Sequence, residues 1–212
     1  KSLTTYVDPG NAIAMVSRQL LEHYGQAKDV SQVVHGTTLI TNSLIERKGV
    51  KTALVTNRGM RDVLDIRREL RYDTYDLGLT YPQPLVDLED RHEVDARLGP
   101  DGSEWTPLSE DQIVAIANTL AADQVGAVAI CLLHSPVSSR HEEAIRDILA
   151  KALPGVPVSI SSEVSGAIGE YERMSTTVAN AFVQPLVKTY LERLRSRFTE
   201  GGITGRLDIM VS

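Results

Sequence analysis

His35, Thr37, Thr38 and Asn42 fall in one short stretch, Val33-Val34-His35-Gly36-Thr37-Thr38 and the segment 39–49 that follows it. The β-branched pair Val33-Val34 predicts a short buried strand and Gly36 a tight turn. Residues 39–49 then predict a helix with Asn42 on its first turns and Arg47-Lys48-Gly49 at its end. Such a turn is a ready anion site, because the first N–H groups of a helix lack partners within it and its dipole is positive there. Two hydroxyls and an imidazole stand beside it. The same residues also make an ordinary βα turn in which Thr37 or Thr38 caps the helix by accepting a backbone hydrogen bond. Spacing alone leaves both readings open.

The elements around this stretch follow from pattern. Asp8-Pro9 reads as an N-cap with proline at the first helical position, and Ile13, Val16, Leu20 and Leu21 recur at helical spacing up to Tyr24-Gly25. Residues 51–56 have the length and composition of a second buried strand, so the two strands and the helix between them predict a right-handed βαβ unit. Asn57-Arg58-Gly59 turns into a shorter helix carrying Asp62, Val63, Leu64 and Ile66. Residues 67–102, with Arg67, Arg68, Arg71, Tyr72, Tyr75, Tyr81 and several prolines, predict a long irregular excursion with one edge strand near 91–96.

Ser109-Glu110-Asp111-Gln112 is a capping box that opens a helix. The apolar strand 127–133 suits a sheet covered on both faces and delivers His134 to its C-terminal end, the edge where ligands gather in open α/β sheets; a lone histidine there also serves structure. Residues 139–152 predict a helix, 156–160 a strand, 163–169 a loop, and 170–197 a long helix interrupted or bent near Pro185. A strand over 206–211 closes the series. The alternation of strands and helices predicts an α/β fold with a largely parallel sheet flanked by helices.

Composition narrows the function. Among 212 residues, 42% are hydrophobic, and the formal charge is −6 from 22 Lys and Arg against 28 Asp and Glu. No basic stripe is present, so nucleic acid is a poor partner. No apolar run is long enough to cross a bilayer, which leaves a cytoplasmic enzyme or enzyme subunit as the expectation. Cys131, the one cysteine, lies in an apolar run and reads as a buried structural thiol. Phosphate-loop, dinucleotide, zinc-protease and nucleophile-elbow motifs are all missing from the sequence. Asp62 and Asp65 do not have metal-site spacing, so no metal site is assigned. Glu170 and Arg173 share a helix face, which reads as a surface ion pair or, for Arg173, as a planar fork for an anion.

The run His35-Gly36-Thr37-Thr38-Leu39-Ile40-Thr41-Asn42-Ser43-Leu44-Ile45-Glu46-Arg47-Lys48-Gly49 resembles a signature of the hydantoinase/oxoprolinase family, in its N-terminal domain. Similar matches follow in order through Leu54-Val55-Thr56, residues 59–66, Tyr75-Asp76-Leu77, Leu132-Leu133-His134-Ser135, Glu170-Tyr171-Glu172-Arg173 and residues 176–181. The resemblance implies a lobe of the actin, hexokinase and Hsp70-like (ribonuclease H-like) ATPase fold. Residues 1–180 would be the family's N-terminal domain, and 181–212 the connecting helix and first strand of the next. In relatives a phosphate-binding hairpin precedes the segment matching residues 4–9 and a second lobe follows the last strand, so the chain is expected to be a piece of a larger subunit, with ATP binding by the piece alone in doubt.

For complete relatives the implied reaction is ATP-dependent opening of a cyclic amide such as 5-oxoproline or a hydantoin, with ATP and Mg2+ as cofactors and a hydantoinase B-like subunit as partner. On that reading Gly36, Thr37 and Thr38 donate hydrogen bonds to developing charge, His35 carries a proton, and Asn42 orients a ring carbonyl or nitrogen. Arg173, Glu170 and His134 join them as substrate-binding residues. A ketone carboxylase of the acetone or acetophenone type is the alternative enzyme, and a non-catalytic assembly module that docks a partner through the 67–102 excursion is the alternative outside enzymology.

Overall fold

The strand Gln32–Thr37 (β1) alternates between exposed and half-buried positions, whereas Thr52–Asn57 (β2) is buried at every residue. A one-sided strand and a two-sided strand need different environments, and they lie in different sheets. In this computed structural model, which describes residues 9–71 and 73–211, β1 pairs in parallel with Arg206–Val211 (β8) and not with β2. The βαβ unit expected from residues 33–56 is therefore not formed. The predicted N-cap Asp8 and the tyrosine at 72 lie outside the described residues.

The chain divides into two compact units between Glu46 and Arg47 and again between Pro185 and Leu186. One unit contains the helix Pro9–Tyr24 (α1), β1, the short helix Leu39–Ile45 (α2), β8 and the C-terminal part of the helix Glu170–Glu200 (α7). Leu194, Phe198 and Ile203 form its buried centre, with Ile13, Leu21, Val33, Tyr190 and Leu207 packed around them. The α7 helix is one element through Pro185, so of the predicted interruption or bend the interruption is not formed.

The second unit is a parallel four-stranded sheet in the order β3-β2-β6-β7, built from Arg91–Val94 (β3), β2, Ala127–Cys131 (β6) and Val158–Ile160 (β7). Alternate residues of its central strands feed two cores. Ala53, Val55, Val128 and Ile130 face the helices Glu110–Ala122 (α4) and Arg140–Ala152 (α5), whose Ile113, Leu120, Ile145 and Leu149 complete that layer. Leu54, Ala127, Ala129 and Cys131 face the other way, onto Leu64 of the helix Val63–Ile66 (α3) and Met174, Val178 and Ala181 of α7. Covering on both faces explains the unbroken apolar runs. The Ser109 hydroxyl caps α4 by accepting from Gln112 N at 3.4 Å, while the Gln112 side chain turns to Asp95 and leaves the box half made.

The excursion splits in two. Residues 67–71 and 73–84 contain no regular element and are mostly exposed, but from Leu85 onward the chain packs: Val86, Val94, Ala96 and Leu98 are buried. β3 is the edge strand predicted near 91–96. A hairpin of Arg97–Leu98 (β4) with Glu104–Thr106 (β5) was not legible in the sequence. The strand expected at 127–133 ends at Cys131, and the loop expected at 163–169 begins inside the helical turn Ser161–Val164 (α6).

Candidate functional site

Gly36 lies inside β1 with no positive φ, and the turn falls instead on Thr38, at φ −100° and ψ 17°. The sharp glycine turn is thus corrected to a strand glycine. A Cβ built there would meet nothing nearer than the Met210 side chain at 4.0 Å, so the position is open space, as where a strand must admit something close to its backbone. Thr37 Oγ1 accepts from Leu39 N at 3.1 Å, whereas the Thr38 hydroxyl makes no cap bond and accepts from Asn42 Nδ2 at 3.3 Å. Of the two threonines, Thr37 holds the turn. The helix expected over 39–49 ends at Ile45. Seven residues give little macrodipole, and the anion-site reading loses its main support.

His35 points to the half-buried face of β1. Its Nε2 lies 2.7 Å from the Tyr190 hydroxyl of α7, with the rings 5.9 Å apart and tilted by 42°. Burial lowers the His35 pKa from its ordinary 6.5, so the imidazole is neutral at neutral pH. His35, Gly36, Thr37, Thr38 and Asn42 together line one cleft of about 520 Å³ whose opposite wall is α1, at Ala12, Ile13, Val16 and Ser17. The structure brings these predicted residues into one site. Tyr190 was missed because only the tertiary fold carries it across 155 positions of sequence.

Arg173, Glu170 and His134 belong to the other unit. Arg173 is 1% exposed: its Nε donates to Ser161 Oγ at 3.2 Å, Nη1 to the carbonyls of Ala167 and Ile168 at 2.9 and 3.1 Å, and Nη2 to the Leu132 carbonyl at 2.9 Å. That is neither a surface ion-pair residue nor an open fork for an anion. Ser161 passes the network on, donating to Glu142, whose carboxyl oxygens also accept from Leu132 N and Ser162 N, each at 2.9 Å. Glu142 was missed, although it shares the i, i+3, i+7 stripe with Ile145 and Leu149 and so stands where an apolar residue belongs. His134 occupies the left-handed turn after β6, at φ 60°, and its carbonyl accepts from Val137 N and Ser138 N. Glu170 opens α7 and is half-buried.

Burial pushes the Cys131 thiol up to about 11, as a structural cysteine requires. Among the described residues no group of His, Cys, Asp and Glu side chains is placed to hold a metal ion, and no helix is long and apolar enough to cross a membrane.

Fold and site together define an α/β protein with parallel sheets flanked by helices, and an imidazole, two hydroxyls and a carboxamide on one cleft. The chain belongs to the hydantoinase/oxoprolinase family, whose N-terminal region matches residues 1–153. It is 38% identical to caprolactamase subunit alpha of Pseudomonas jessenii over 176 residues, which are 82% of this chain and 25% of that protein. The crystal structure of the ATP-dependent caprolactamase from Pseudomonas jessenii superposes with a TM-score of 0.86 at 33% identity, over 93% of this chain and 30% of that one. Nucleotide-free acetone carboxylase superposes at 0.83 with 25% identity, over 97% and 32%. The 5-oxoprolinase of Saccharomyces cerevisiae is 30% identical over 208 residues, 83% of this chain and 16% of that protein. The chain therefore corresponds to a part of these longer relatives.

Proposed function

We propose that this chain is the N-terminal part of a subunit of an ATP-dependent cyclic-amide hydrolase that acts in the cytoplasm with a hydantoinase B-like partner. Residues 1–180 form its N-terminal domain, and residues 181–212 lead into the next. The observation that carries the reading is the convergence of His35, Gly36, Thr37, Thr38 and Asn42 on one cleft, in a chain that shares 38% identity with a caprolactamase subunit. Thr38 and Asn42 offer a hydroxyl and a carboxamide to the amide of the ring. His35, neutral and steadied by Tyr190, takes or returns a proton as the ring opens. Bare backbone at Gly36 leaves room beside them.

ATP enters this reading from the relatives, and Mg2+ is proposed to accompany it. It would activate the amide oxygen and so turn a resonance-stabilised carbon into one that water attacks. Among the described residues the cleft lining carries no lysine or arginine, and no step in it is assigned to the nucleotide. The likeness to acetone carboxylase over 97% of the chain favours a ketone carboxylase as the second reading.

The test is turnover by the full-length protein with its partner subunit. ATP-dependent opening of a lactam or hydantoin, independent of bicarbonate, is expected; bicarbonate-dependent ATP hydrolysis with a ketone would replace this reading by the second. In the same protein Thr38→Ala should depress kcat/KM roughly a hundredfold, as for a lost donor to developing charge.

A further inference from the structure

In the second unit, residues 67–82 form a loop whose neck is closed by its own side chains. The Arg67 guanidinium donates to the Pro82 carbonyl and lies 4.7 Å from the centre of the Tyr81 ring, and the Tyr81 hydroxyl donates to the Leu70 carbonyl at 2.9 Å. Beside the neck, Arg47 donates to the carbonyls of Gln83 and Pro84, and Arg68 pairs with Glu172 in the first turn of α7. A surface loop fastened at its ends in this way holds what lies between them at a fixed place. The head is shaped as well. Tyr75 N donates to Asp73 Oδ1 at 3.0 Å and Gly78 N to Asp76 Oδ1 at 2.8 Å, two successive Asx turns on which Tyr75 and Leu77, each 93% exposed, stand.

A projecting head cannot enclose a small molecule, which needs a concave site, and suits instead a pocket on another macromolecule. Side chains held on a pinned backbone give up little freedom on docking, and a tyrosine seated in a desolvated pocket supplies much of the affinity of an interface. Asp73 and Asp76 flank the two anchors with negative charge, which calls for lysine or arginine at the rim of that pocket. A second copy of this chain, with its formal charge of −6, would meet them with charge of the same sign. Resting on the function proposed above, in which the chain works with a partner subunit, we propose that residues 73–78 are a docking finger. It inserts Tyr75 and Leu77 into an apolar pocket with a basic rim on that subunit.

The test uses the full-length protein and its partner subunit, purified apart and mixed at neutral pH. Tyr75→Ala and Leu77→Ala should each weaken association by about tenfold or more. Asp73→Asn combined with Asp76→Asn keeps both Asx turns, because a carboxamide oxygen accepts the same bonds, and removes only the charge; association should slow and lose much of its dependence on salt. Benzoylphenylalanine in place of Tyr75 should cross-link to the partner subunit on illumination. Tyr75 and Leu77 stand outside both cores of the unit, so the variants should keep the melting temperature of the unaltered protein. Unchanged affinity in both alanine variants, or a cross-link to the same chain or to a second copy, overturns the proposal. The proposed function is tested apart from it, since mixed subunits that still open a lactam with ATP would keep that function and lose only the finger.

Discussion

Replacing Arg173 by methionine separates structure from ligand binding at the residue whose sequence context most invited the second. Methionine keeps the unbranched stem as far as the position of Nε but removes every donor. The Leu132 carbonyl, belonging to a residue 3% exposed, then loses its Nη2–H, and one orphaned buried acceptor costs about 1–3 kcal/mol. Ala167 and Ile168 lie nearer the surface, Ile168 at 86% exposure, and their carbonyls can turn to water for less. Glu142, at 1% exposure, keeps its three donors but loses the cation one hydroxyl away through Ser161, which costs less than breaking a direct buried pair, at about 3–5 kcal/mol. These contributions share atoms and do not add, so we expect a loss of about 2–3 kcal/mol in urea unfolding followed by far-ultraviolet circular dichroism. Arg173→Lys, which keeps the charge and loses the fork, should fall between the two. A loss below about 1 kcal/mol, combined with weakened binding of an anionic ligand, would refute the structural account and return Arg173 to the substrate.

Thr37→Ala should cost about 0.5–2 kcal/mol of stability because Thr37 holds Leu39 N, while Thr38→Ala should stay within a few tenths because no backbone N–H depends on it; equal losses in thermal melts would contradict the assignment. Burial lowers the pKa of His35 and, against the opposing pull of Asp90 and Asp123, of His92, so the unfolded chain binds the proton first. The stability this confers is complete above 6.5 and declines as pH falls below it, before Glu104, with an ordinary value of 4.5 lowered by its bond to His141, begins to titrate. A melting temperature that stays flat across that window, or falls equally in a His35→Asn/His92→Asn variant, would sink the linkage. Residues 67–84 should exchange their amide hydrogens early and Ala127–Cys131 late; equal protection would show that the excursion is packed.

Much of the second unit was legible because its signals are local. An apolar run bounded by turns declares a two-sided strand, as at β2 and β6, and a serine with glutamine three residues on declares a helix start, as at α4. What was not legible depends on partners distant in sequence. β1 has the composition of a strand, but nothing within it says that its neighbour is β8, with His35 opposite Ile209, instead of the strand that follows after one helix. Gly36 looked like a turn because turns are where glycine most often resides; its place in a parallel pair is fixed only by the register that sets it opposite Met210. The cleft was half legible: the four polar side chains on β1 and α2 come from one stretch, whereas Tyr190 and the wall of α1 arrive through packing.

The two polar clusters show why resemblance alone weighs Arg173 and His35 alike while the structure does not. His35 lies within the residues 1–153 that match the family, and Arg173 lies in a stretch whose sequence resembles it. In the second unit each strong group has its partner within the chain: the guanidinium is engaged at all three nitrogens, and three donors converge on Glu142, so a ligand could be bound only by breaking bonds that hold β6, α5 and α7 together. In the first unit the polar groups border open volume, and His35 with Tyr190 and Asn42 with Thr38 make contacts between side chains that carry no formal charge pair. A weak neutral contact can be exchanged for one to a ligand at small cost, and a buried charged network cannot. By that criterion Arg173, in the first turn of α7, belongs to the fold, and the cleft of β1 is where we propose the chemistry.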